Sequence, residues 1–445
     1  MSNSQASPPD FTQSRGFHWR GYRWAVCLGL FLITTINYLD RVMMSLLEPR
    51  LLTQLHFTQV QYGYIAAVFS AMYAIGYALC GWFMDAVGVW IGFALTVIIF
   101  SGAEAGMYFA TTVAGYMAIQ GIMGVAQGAN FPGAIKAVGQ WFPKKERALT
   151  TGIFNAGTSL GVALAALLVN QVAPRLGWQT GFLIAGSLGI VWVIWWLLRY
   201  REPDKNPNLS TEELAYIRSD PPEKAHRIRW ATLLGYRQSW AFIVGTLFTS
   251  PVWWFWLFWI PGFFYKVHHV KITAMLLPMI IIYGMADLGS IGGGWLSSWF
   301  LARGWSLNAA RKTTMLICAV TVIPVFGAAF VGNYLLASVL IGLACAGHQG
   351  FSANLFTMAS DTMPGKVVGS LVGLGGAAAS GLGFFVNAGV GWLLHLTHSS
   401  YQILFAIAAS AYLVAILAIH LINPRWEAAH EVAGVTESAN GYSGG

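Results

Sequence analysis

Asp40 and Arg41 stand side by side in the run Asn37-Tyr38-Leu39-Asp40-Arg41, inside an otherwise apolar segment. A charge at bilayer depth costs roughly 2.5–3.5 kcal/mol on insertion scales, so an acid and a base placed there are rarely idle. Low dielectric favours the neutral form of Asp40, and the adjacent guanidinium favours the charged form. Opposed pulls of this kind leave a carboxyl able to take up and release a proton. The guanidinium of Arg41 is a planar fork that matches a carboxylate in two-point contact. The pair therefore offers proton exchange and anion capture. The competing reading is a permanent structural ion pair. Two more acids fall inside apolar runs. Asp287 could serve solute or proton, or hydrogen-bond a neighbouring helix. Glu104 is the third proton-site candidate, against the plainer reading of a snorkelling or protonated carboxyl near the outer face.

The elements that must position these residues are membrane helices. The 445 residues are 56% hydrophobic and 9% charged, whereas a soluble domain carries about 25% charged residues. A helix needs roughly 20 apolar residues to cross the hydrocarbon core. About twelve such runs are present, near 22–44, 61–82, 89–110, 113–138, 150–172, 180–199, 238–264, 273–301, 311–331, 333–358, 367–394 and 401–423. Their unbroken apolarity is not the alternation of a β-barrel. An all-α membrane fold is expected, with a tail over 1–19, a six-helix bundle over 20–199, a polar linker over 200–237, a second bundle over 238–423 and a tail over 424–445. Equal halves suggest repeated bundles that rock about a central site.

The formal charge of +8 could suggest nucleic acid, but its distribution speaks against that partner. Basic residues cluster at 15–23, 144–147, 199–237 and 303–312, all on one side of an even-numbered bundle, while Arg50, Arg175, Lys266 and Lys271 are the few left opposite. This positive-inside pattern predicts cytoplasmic termini. The four cysteines fall inside spans at spacings that suit neither a metal site nor a disulfide framework. No nucleophile–base pair or phosphate-cradling loop stands out, so no enzyme, cofactor or metal is expected.

Several motifs resemble the major facilitator superfamily. Gly81-Trp82-Phe83-Met84-Asp85-Ala86-Val87-Gly88 is similar to its loop motif without the basic residues that normally follow, and Gly294 to Arg303 echoes it with Ser298 in place of the acid. Tyr38-Leu39-Asp40-Arg41, Phe131-Pro132, Trp141-Phe142-Pro143, Glu146-Arg147 and Phe154-Asn155-Ala156-Gly157 resemble the anion:cation symporter branch. Lys136, Trp259-Ile260-Pro261, Ala286-Asp287-Leu288-Gly289, His348-Gln349 and Ser360-Asp361 are most like its hexuronate carriers.

The resemblance implies proton-coupled uptake of a uronate, aldonate or similar organic anion into bacteria, by a protein of the inner membrane read here as a monomer in lipid. It places the coupling acid at Asp40 and the carboxylate anchor at Arg41. Many branch members have an acid at the position of Gln127 and an arginine at that of Gln120. Neither amide carries charge, though both can bind hydroxyls, so Asp287 or Glu104 would have to supply any second proton. Tyr38, Tyr73, Asn155, Ser159, Trp253, Trp256, His348, Gln349, Ser352 and Asn354 are expected around the solute. Of Trp253, Trp254, Trp256 and Trp259, two are expected to face lipid or the interface belt. Asp85, Lys136, Glu146 and Arg147 are the candidate gate at the cytoplasmic mouth. The alternatives are an exporter or antiporter of amphipathic compounds, suited to the heavy Trp and Phe content, and a membrane-embedded sensor.

Overall fold

Helix follows helix through the computed structural model, which describes residues 21–219, 230–363, 365–426 and 429. The expected first tail, most of the last and part of the linker lie outside the described residues. The first half comprises α1 (Arg23–Leu46), α2 (Glu48–Gln54), α3 (Gln59–Gly106), α4 (Val113–Gly128), α5 (Asn130–Trp141), α6 (Lys144–Leu176) and α7 (Thr180–Arg199). Two short helices, α8 (Thr211–Ile217) and α9 (Trp230–Leu233), lie in the linker. The second half comprises α10 (Arg237–Val267), α11 (Leu276–Ala302), α12 (Leu307–Val322), α13 (Tyr334–Thr362), α14 (Gly365–Leu396) and α15 (Gln402–Ile422).

Among the described residues, eleven helical stretches are long and apolar enough to cross a membrane. The expected twelfth, 113–138, is instead divided at Ala129 into α4 and α5, and neither piece alone has the length. Two expected spans also fuse. α3 starts on a capping box, in which Thr58 accepts from the Gln61 amide and the Gln61 side chain accepts from the Thr58 amide. It continues through the predicted loop and changes direction at Gly88, whose φ of 78° suits only glycine.

One close approach sets the site. The Cα of Gly161 on α6 lies so near α1 that a β-carbon there would come within 2.3 Å of the Thr35 carbonyl oxygen. In lipid such small-residue contacts let backbones pack without side chains between them. Replacing Gly161 by valine should push α1 from α6 at a cost of about 1–3 kcal/mol. A thermal midpoint in detergent equal to that of the parent protein would show that the helices are not in contact.

The halves meet along a polar seam at the end opposite the linker. The Lys266 ammonium and the buried Glu48 carboxylate are 2.6 Å apart. The Tyr62 hydroxyl donates to the Phe258 carbonyl at 2.9 Å, and the Trp392 indole donates to the Tyr64 hydroxyl at 2.9 Å. Deeper in, the Asn387 amide donates to Ser70 at 3.0 Å and accepts from the Trp259 indole at 3.0 Å. The Gln59 amide and the Ser399 hydroxyl lie 3.0 Å apart. In the linker, Glu213 on α8 binds Arg23, which also pairs with Glu146 at 2.9 Å.

Candidate solute site between the bundles

Four residues on one face of α1, Thr34, Asn37, Tyr38 and Arg41, recur at the three- and four-residue spacing of a helix stripe. They form one wall of a cavity of about 300 Å³ between the halves, on the linker side of the seam. Tyr73 and Tyr77 of α3, Asn130 and Phe131 of α5, and Asn155 and Thr158 of α6 complete that half of the lining. The facing half supplies Trp253 and Trp254 of α10 and His348, Gln349 and Ser352 of α13. Among the described residues, Arg41 is the one lining group with a permanent charge.

Its surroundings are unusual for a buried cation. Arg41 is 4% exposed, yet no described carboxylate pairs with it, not even its neighbour Asp40. The guanidinium instead donates to the Asn37 side-chain oxygen at 2.9 Å and to the Gln127 oxygen at 3.3 and 3.4 Å. The rings of Tyr38, Tyr73, Trp254 and Phe69 stand 4.8, 4.9, 5.1 and 5.4 Å from it. Aromatic faces and amide oxygens attract a cation without cancelling its charge, so the guanidinium is held in place with no carboxylate bonded to it, while Asp40 acts on it only through space.

On the opposite wall, His348 stacks on Trp253 with centroids 4.8 Å apart. Its Nδ1 lies 2.6 Å from the Tyr412 hydroxyl, and its Nε2 lies 3.4 Å from the Ser352 hydroxyl. The ring is thereby fixed with a polar edge near the cavity, which suits recognition of a hydroxyl.

Asp40 does not line the cavity. It is completely buried, as is Glu104, and neither carboxyl oxygen of either residue has a hydrogen-bond partner. The expectation that Glu104 snorkels at the outer face is therefore corrected: neighbouring helices enclose its side chain. Asp287 on α11 is half-buried and meets Ser159 of α6 across the interface between the halves.

Other expected residues lie elsewhere. Ser159, Trp256 and Asn354 do not line the cavity. Trp256 packs against Phe255 and Phe405, and Asn354 donates to the Gly293 and Gly350 carbonyls within its own half. Gln120 is buried outside the lining, and Gln127 reaches it only through Arg41. Trp253, Trp254, Trp256 and Trp259 are none of them exposed, contrary to the expectation of a lipid-facing pair, because neighbouring helices cover this stretch of α10. Trp254, not Trp256, stands beside Arg41; in a run of near-consecutive tryptophans, composition gave no signal to choose between them.

Of the gate candidates, Lys136 donates to the Met84 carbonyl at 2.7 Å. Glu146 pairs with Arg23 and accepts from the Tyr216 hydroxyl at 2.7 Å. Arg147 donates to the Phe142 and Gly139 carbonyls at the end of α5. These bonds stay within the first half and its linker. The side chain of Asp85 lies outside the described residues.

Two helical halves around a central polar cavity define a membrane transporter. The family model of the Major Facilitator Superfamily matches residues 30–388, and the chain belongs to that superfamily. It is 33% identical over 378 residues to the hexuronate transporter of Escherichia coli K12, covering 81% of this chain and 85% of that one. It is 36% identical over 292 residues to the galacturonate transporter of Dickeya chrysanthemi, covering 64% and 84%. The fold is similar to that of a D-xylose–proton symporter, with a TM-score of 0.72 at 14% identity over 92% of this chain and 100% of that one. It is also similar to an inward-facing bacterial homologue of the human lysosomal transporter Spinster, with a TM-score of 0.68 at 18% identity over 91% and 97%.

Proposed function

We propose that this transporter carries an organic anion, a hexuronate or related sugar acid, inward together with protons, by rocking its two halves about the central cavity. The observation that carries the reading is the guanidinium of Arg41, buried in the cavity wall with no described carboxylate bonded to it. A solute carboxylate supplies that missing partner. A cavity of about 300 Å³ sits at the small end of ligand sites, roughly 300–1,000 Å³, and fits a single sugar acid better than a bulky amphipathic compound. Asn155, His348, Gln349 and Ser352 offer partners for its hydroxyls, and Trp253 offers an apolar ring face. The relatives named for hexuronate and galacturonate support this class of solute.

The proton goes to buried carboxyls. An ionised Asp40 without a hydrogen-bond donor bears a burial cost that the nearby Arg41 charge offsets only in part, and a proton removes it. Glu104 and Asp287 are the further acids through which a second proton passes. The basic clusters support a cytoplasmic linker and cytoplasmic termini, and the bacterial relatives support an inner membrane. The sealed seam then faces outward.

Uptake into proteoliposomes tests this reading. Labelled galacturonate should accumulate against its gradient under an inward proton gradient, and a protonophore should abolish accumulation. Protons leaving as solute enters would replace symport with antiport. Failure of every sugar acid to enter would overturn the solute class.

A further inference from the structure

We infer that the chain carries a second carboxylate site, built across the outer seam from Arg50 and Lys271, whose occupation holds the outer end shut. It goes beyond the transport reading, and only the placing of the seam outside rests on that reading.

The site is a pocket of about 210 Å³ lined by Arg50 and Thr53 of the first half and by Tyr265, Lys271, Ile272 and Thr273 of the second. Half-buried Arg50 and exposed Lys271 face it from opposite halves. The Nε of Arg50 is buried and has no hydrogen-bond partner. Buried polar nitrogens are seldom left unpaired, and a native one calls for an explanation. The nearby acid Glu48 is already engaged by Lys266. Two cations therefore line one small pocket with no described carboxylate in it, together with Tyr265 and Thr273. An anion with a planar two-oxygen head meets the Arg50 fork at one edge and the Lys271 ammonium at the other.

Its ligands come from both halves, so the site is complete only while the outer end is closed. A ligand that binds one state better shifts the population toward that state by its differential affinity. A carboxylate seated here draws the outer ends together.

The test measures that distance. The native cysteines Cys27, Cys80, Cys318 and Cys345 are all buried, so spin labels can be placed at T111C and A274C, two exposed outer positions on opposite halves. An R41Q background removes the cavity anchor. In nanodiscs of neutral lipid, added galacturonate and added acetate should each at least double the short-distance population. Chloride at matched ionic strength should not. The shift should vanish in R50Q/K271Q and persist in the charge-keeping R50K/K271R. The inference is overturned if neither carboxylate moves the distribution, if the shift survives R50Q/K271Q, or if chloride reproduces it. Should R41Q not fold, acetate on the protein with an intact Arg41 decides the matter by the same criteria. Acetate reports on the seam whether or not the protein moves sugar acids, so failure here is separable from failure of the transport reading.

Discussion

Arg41→Ala should reduce uptake at limiting solute about a hundredfold or more and abolish stabilisation of the purified protein by galacturonate. Truncating one partner of a buried, hydrogen-bonded charge pair costs about 2–5 kcal/mol, and each 1.4 kcal/mol is a factor of ten in affinity. The loss follows from the surroundings of the residue. Asn37 and Gln127 occupy part of the fork, four rings enclose it, and no described carboxylate neutralises it. Arg41→Lys keeps the charge but not the planar geometry, so it should recover only part of the binding. Transport by the alanine variant with a KM within threefold of the parent would remove Arg41 from the solute site. A protein too unstable to assay would be recognised by its elution profile, and the lysine variant would then decide.

Asp40→Asn should uncouple the carrier. The amide has nearly the shape of the carboxyl and cannot exchange a proton. Both Asp40 oxygens are buried without donors, so replacing one by an amide nitrogen breaks no described bond. Accumulation driven by a pH gradient should fall to the downhill level, while exchange of internal for external solute continues. Undiminished uphill uptake would move coupling to another acid, and Glu104→Gln and Asp287→Asn would then be compared in the same assay. The amide at Gln127 adds an electrical consequence. With one proton per monoanion no net charge moves, so a membrane potential at equal pH should stimulate uptake little. Each extra charge would instead bring about 2.3 kcal/mol per 100 mV.

Hydropathy alone marked nearly every span, because lipid imposes length and apolarity directly on sequence. It missed the division at Ala129, where the apolar run continues while the helix does not. Tyr38 and Arg41 on the α1 face were legible because a charge in an apolar run announces itself; their lining companions Thr34 and Asn37 were not, because a neutral polar residue in such a run gives no comparable signal. The direction of Asp40 was not legible: two adjacent residues point about 100° apart on a helix, and only tertiary packing tells which of them meets the cavity. Contacts between distant segments were equally hidden. Glu146 finds Arg23 across 123 positions, so a residue expected at a gate instead ties the start of α1 to α6. The tryptophans of α10 failed for a related reason, since every face of that helix is apolar and its amphipathicity selects none.

The outer seam gives the carrier a directional bias. Five contacts join the halves there, through Glu48, Tyr62, Tyr64, Asn387 and Gln59. At about 1 kcal/mol net apiece, they leave the outward-open form at roughly one molecule in several thousand before the bonds that close the other mouth are set against them. A ligand that needs a scarce form has its apparent affinity weakened by that scarcity. The same solute should therefore half-saturate the carrier at much lower concentration from the cytoplasmic face than from the outside. Loosening any one of the five ties should narrow that asymmetry by strengthening the outer affinity alone.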